Sequence, residues 1–85
     1  MTTTLNITAA VTLKTQPGQV FKYSVLVAGV AGTINDCAST GTAAASNAVA
    51  PTPAVIGTYD ISSFSFGTGI TVTPGAGQTI AVAWQ

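Results

Sequence analysis

Few side chains in this sequence could take part in covalent or proton-transfer chemistry: Asp36, Cys37, Asp60, the lysines Lys14 and Lys22, and the tyrosines Tyr23 and Tyr59. There is no histidine. Neither a Ser-His-Asp nor a Cys-His arrangement can therefore be assembled from this chain alone, and acid–base catalysis near neutral pH lacks its usual residue. Asp36 directly precedes Cys37; a neighbouring carboxylate repels a thiolate and opposes activation of the sulfur as a nucleophile. Cys37 thus reads as a small buried hydrophobe. Two carboxylates are the minimum equipment of a glycosidase, but the plainer reading of Asp36, and of Asn35 beside it, is a turn residue whose side chain bonds nearby backbone.

A metal site is not expected from one Cys and no His, and no cofactor is expected either. Gly67-Thr68-Gly69 lacks the spacing of a dinucleotide fingerprint, and no Gly-Lys-Ser/Thr follows a glycine cluster, so these glycines read as turn residues. Asn6-Ile7-Thr8 matches a glycosylation sequon, but it falls in an expected strand and reads as a chance match. The aromatic residues Phe21, Tyr23, Tyr59, Phe64, Phe66 and Trp84 could line a saccharide site. A small domain needs its large side chains inside, which favours the core for most of them. Trp84, next to the C-terminus, stays open between the core and a contact with a neighbouring subunit.

These residues must be held by strands. Over residues 5–13, Leu5, Ile7, Ala9, Val11 and Leu13 alternate with Asn6, Thr8, Ala10 and Thr12, a period of two that predicts one strand with a buried and a polar face. Pro17-Gly18 supplies a turn, and residues 20–28 resume as a strand that pairs with the first as a hairpin. Gly29-Val30-Ala31-Gly32 breaks it. Residues 33–37 read as a short strand entering a turn. Residues 43–49, in an Ala-, Ser- and Thr-rich stretch, are read either as about two helical turns or as a loop, ended by Pro51 and Pro53. Residues 58–66 alternate loosely. Residues 70–73 and 79–84 read as a second hairpin around Pro74-Gly75-Ala76-Gly77. The expected fold is a single all-β domain over residues 1–85: a small antiparallel β-sandwich or barrel of five to six strands, with at most one short helix.

Composition bears on partners. The chain has 85 residues and 5% charged residues with a formal net charge of zero, against about 25% charged in ordinary soluble domains. It lacks the repulsion that keeps free monomers apart. One cysteine excludes an intramolecular disulfide, so a chain this short is expected to gain stability by burying surface against other subunits. Two lysines make no basic patch, so nucleic acid is not an expected partner. The apolar run over residues 25–31 is too short to cross a bilayer, no membrane role is expected, and no secretory signal is read in Met1-Thr2-Thr3-Thr4-Leu5-Asn6.

Gly32-Thr33-Ile34-Asn35-Asp36-Cys37, the Ala-rich stretch with Asn47 and Val49, Ile56-Gly57-Thr58-Tyr59, and residues 69–78 (GITVTPGAGQ) resemble small accessory virion proteins of tailed bacteriophages. The resemblance spans residues 20–85 and leaves residues 5–13 unmatched. It implies a β-rich, non-enzymatic protein that decorates or cements the outside of a capsid, or forms part of a head fibre, and it carries no catalytic residues. The leading expectation is a homo-oligomer, in particular a trimer, bridging subunits of the major capsid protein on the virion exterior after synthesis in the host cytoplasm. A head-fibre or tail component is the alternative, and a small carbohydrate-binding module a further one. From position in the chain, Leu5, Ile7, Phe64, Phe66 and Trp84 are expected at interfaces.

Overall fold

Runs of Val, Ile, Thr and aromatic residues, punctuated by Gly and Pro, form strands wherever they can be half-buried on a pleated surface. In the computed structural model, which describes residues 2–85, eight such runs are strands: β1 (Thr2–Ile7), β2 (Val11–Lys14), β3 (Gly18–Val27), β4 (Gly32–Asn35), β5 (Ala48–Thr52), β6 (Gly57–Phe66), β7 (Ile70–Thr73) and β8 (Thr79–Trp84). They make two four-stranded sheets, ordered β1-β8-β3-β6 and β2-β7-β4-β5. All neighbours are antiparallel.

The pairs β1·β8, β2·β7, β3·β6 and β4·β5 are those of one long hairpin folded back at residues 36–47. Rolling that hairpin so that β8 also meets β3 and β7 meets β4 divides it into two packed sheets. This is the eight-stranded jelly-roll arrangement, a β-sandwich. Of the two architectures expected from sequence, an all-β sandwich or a barrel, the sandwich is present, with eight strands in place of five to six.

The strand count differs for a local reason. The pattern over residues 5–13 is not one strand: Asn6 takes a left-handed conformation (φ 55°), β1 ends at Ile7, and β2 restarts at Val11 in the other sheet. Asn tolerates that conformation better than most residues. The bulge it makes between Thr4 and Ile7 turns Leu5 outward while Ile7 faces the core. Neither expected hairpin forms. β2 pairs with β7 and β3 with β6 and β8, so Pro17-Gly18 is a corner between sheets, and residues 74–78 form another between β7 and β8. The helix-or-loop alternative at residues 43–49 resolves into two single 3₁₀ turns, Thr40–Thr42 and Ala45–Asn47, followed directly by β5.

The core lies between the sheets. Val20, Val25, Ile80 and Val82 from one sheet meet Ile34, Ile70 and Val72 from the other, with Phe66 closing one end. The chain exposes 4212 Å², less than the roughly 4,600 Å² usual for a folded monomer of its mass. The chain is accordingly compact around this core. β6 carries a second irregularity: β3 advances two residues from Val20 to Lys22 while β6 spans Asp60 to Phe64. Ser62 and Ser63 absorb the excess in left-handed conformations (φ 53° and 60°), pinned by a 2.8 Å bond from the Ser62 amide to the Asp60 carboxylate.

Candidate functional site

The residues able to do chemistry are dispersed. Asp36 follows β4, and its carboxylate accepts bonds from the backbone amides of Gly67 (3.0 Å), Thr68 (2.8 Å) and Gly69 (3.3 Å). Partial burial pushes this carboxyl up, and the Thr68, Gly67 and Gly69 amides outweigh it, holding the group below the ordinary carboxylate range. A carboxyl held low is a poor proton donor at neutral pH. Asp60 lies mid-way along β6, opposite Lys22, and binds its own bulge. Cys37 is buried, its thiol directed at the Ser39 carbonyl (3.3 Å). Among the described residues no three His, Cys, Asp or Glu side chains converge on a point where a metal could sit, and no helix is long and apolar enough to cross a membrane.

The polar atoms of the larger aromatic residues are spent internally. Tyr23 and Tyr59 stack at 5.2 Å; Tyr23 donates to the Pro51 carbonyl and Tyr59 to that of Val55 (2.9 Å). Burial, and then the neighbouring Tyr59, raise the Tyr23 hydroxyl above its usual range. The Trp84 indole donates to Thr4 Oγ1 (2.9 Å), within the chain.

The five residues expected at interfaces divide. Ile7 and Phe66 lie in the chain's own core, and for them the expectation is corrected: buried within the chain, their side chains have almost no surface to offer a partner. In each case the neighbouring bulge, at Asn6 or at Ser62–Ser63, sets which side of the strand faces in. Leu5 (69% exposed) and Phe64 are exposed, but on β1 and β6, opposite edges of one sheet. Trp84 is half-buried in the row Phe64, Val20, Trp84, Thr2 that crosses the sheet. No single patch unites them.

A different set does come together. Antiparallel pairing brings the connections 8–10, 28–31, 53–56 and 74–78 to one end of the sandwich, as the registers Ile7↔Ile80, Val27↔Thr79, Val25↔Gly57 and Gly32↔Thr52 require. None of these loops contains an ionisable residue. On them and the adjoining end of β3 stand five exposed aliphatic side chains: Leu26 (51%), Val27 (50%), Val30 (60%), Val55 (62%) and Ile56 (67%).

The loops beneath these side chains are rigidly tied. Gln78 is buried and makes every bond its amide can make. Its Oε1 accepts from Thr52 Oγ1 (2.9 Å) and the Gly75 amide (3.1 Å), and its Nε2 donates to the carbonyls of Thr52 (2.9 Å) and Pro53 (3.1 Å). Thr52 Oγ1 in turn accepts from the Gly32 amide (3.0 Å), and the Val30 amide donates to the Ala76 carbonyl (2.9 Å). Loops 28–31 and 74–78 touch backbone to backbone. Gly29 adopts φ +48°, where a Cβ would lie 2.5 Å from the Gln78 nitrogen, and at Gly75 a Cβ would collide with the Val30 carbonyl. A surface already fixed in its bound shape loses little entropy on association.

Sequence reasoning passed over these five residues, although a signal existed. Val30 stands among Gly and Ala, and Val55 and Ile56 between Pro53-Ala54 and Gly57: large apolar side chains in turn segments, where the backbone runs along the surface. The chain matches no protein-family model, and no curated protein or solved structure is detectably similar to it.

Proposed function

We propose that this chain is a non-enzymatic structural subunit that decorates or cements a bacteriophage capsid, attaching to the major capsid protein on the virion exterior through its apolar end. The observation that carries the reading is the uncharged platform of Leu26, Val27, Val30, Val55 and Ile56 on loops fixed by Gln78. Exposed aliphatic groups at one end of a domain mark contact with another apolar surface, and the absence of charge on these loops removes the main desolvation cost of covering them. The jelly-roll strand order adds an analogy of architecture, since viral capsid domains use it, as do lectins. The internal engagement of Tyr23, Tyr59 and Trp84 favours the capsid reading over saccharide binding.

The mechanism is bridging. Each copy covers apolar surface across two shell subunits, so disassembly must also break those contacts. An interface of about 1,600 Å² repeated over a shell gives large collective stability even when each contact is weak. Mixing the purified protein with candidate shells tests this. Saturable binding at hundreds of copies per particle, with a raised disassembly temperature, is the expected outcome. Failure to bind, or binding at a few copies at one specialised site, would contradict the cement role, and the second result would favour a fibre or tail component.

A further inference from the structure

Residues 36–47 leave β4 and return as β5, passing over the outer face of the β2-β7-β4-β5 sheet. That face is polar. Thr12, Thr71 and Asn35 form one row across it, alternating with the core residues Ile34 and Val72. Asn35 and Thr71 are nonetheless almost fully buried, and the bonds they make show that the returning segment covers them. Asn35 Nδ2 donates to the Ala44 carbonyl (3.0 Å) and Asn47 Oδ1 (2.9 Å), and Thr71 Oγ1 donates to the Cys37 carbonyl (3.0 Å). Beyond the segment, the Asp36 carboxylate grips three successive amides of the β6–β7 loop.

We propose that residues 36–47 form a strap that opens as a unit while the two sheets stay closed, with the grip of Asp36 on Gly67, Thr68 and Gly69 as its latch. Two observations support this. The strap is held mainly by polar bonds: neither 3₁₀ turn has a buried residue, its one buried side chain is Cys37, and its backbone packs closely on the sheet at Gly69, against Cys37 and Ala38. Opening therefore exposes little apolar area, and what it uncovers on the sheet is hydroxyl and amide that water can satisfy. Its two ends are already neighbours in the β4·β5 ladder, at Asn35↔Ala48, so release keeps that ladder and breaks, beyond it, the bond from the Asp36 amide to the Asn47 carbonyl (2.8 Å). Segments with few buried apolar contacts open at free energies far below global unfolding.

Cys37 reports the opening. Under native conditions Ellman's reagent is expected to label it much faster than global unfolding allows, with a weak dependence on urea. Asp36→Asn, which keeps the shape of the latch and removes its charge, is expected to speed labelling about tenfold while core amide exchange at Ile34 and Val72 is unchanged. Thr42→Ala, within the strap but outside the latch, is expected to leave the rate within about twofold. The proposal is overturned if Cys37 labels only at the global unfolding rate with the full urea dependence. It is equally overturned if Asp36→Asn leaves labelling unchanged, or speeds labelling and core exchange in parallel.

Discussion

At one end of the sandwich, loops 28–31, 53–56 and 74–78 are locked around the buried amide of Gln78 and present aliphatic groups to solvent. At the other, residues 36–47 fold over the buried amide of Asn35 and present Ser39, Thr40, Thr42 and Ser46, with Lys14 and Asp36 at their margin. The two amides do similar work. Asn35, like Gln78, makes four bonds, accepting from Thr33 Oγ1 (2.7 Å) and Thr73 Oγ1 (3.3 Å) as well as donating to the strap. What differs is what each amide anchors. Gln78 ties together loops that pack backbone to backbone at both Gly29 and Gly75, whereas Asn35 ties down a cover whose backbone packs at Gly69 and whose one buried side chain is Cys37. Hydrogen bonds of the same kind thus fix a rigid platform at one end and a removable strap at the other.

The sharpest way to break this contrast is Gly75→Ala. A methyl group there must displace the Val30 carbonyl, so loops 28–31 and 74–78 separate. A loss of about 3 kcal/mol or more is expected by urea denaturation. Next come the amides themselves. Gln78→Ala leaves the buried Thr52 carbonyl and the part-buried Pro53 and Gly75 backbone groups without their partner, and should cost about 2–3 kcal/mol. Asn35→Ala, whose partners can reach water when the strap lifts, should cost about 1 kcal/mol. Equal costs would erase the distinction between the ends.

A smaller effect follows from pH. The Asp36 carboxyl is held below its unfolded value by the three amides, net of partial burial. Its contribution to stability is therefore complete above the ordinary carboxylate range and lost as pH falls through its folded pKa. With no histidine in the chain, thermal stability should be nearly level from about pH 5 to 7 and decline below about pH 4. Asp36→Asn should flatten much of that decline and cost about 1 kcal/mol at pH 7, since the site is largely solvated. Smallest of all, Val55→Thr should alter stability by less than about 0.5 kcal/mol, because the side chain is exposed.

The class of fold was legible because Ile70, Val72, Ile80 and Val82 alternate as strands must. Pairing was not. Pro17-Gly18 and Pro74-Gly75 look alike whether a turn joins neighbours or carries the chain to the opposite sheet, and only the long-range pairs β1·β8 and β2·β7 decide between them. Asn6, Ser62 and Ser63 each reset which side of a strand faces inward. That is why Ile7 and Phe66 proved to be core. The polar character of Asn35, Thr52, Thr71 and Gln78 gave no hint that they are buried, since each bonds partners far along the chain, such as Thr73 for Asn35, Gln78 for Thr52 and Cys37 for Thr71.

The most direct test of the account is shell binding by two charge insertions of equal size, Ile56→Asp at the apolar end and Thr68→Asp at the polar end, compared with the unaltered protein at matched folded fraction. Ile56→Asp is expected to abolish saturable binding, and Thr68→Asp to leave it intact. Binding that survives Ile56→Asp and fails with Thr68→Asp would place the contact at the other end and contradict it.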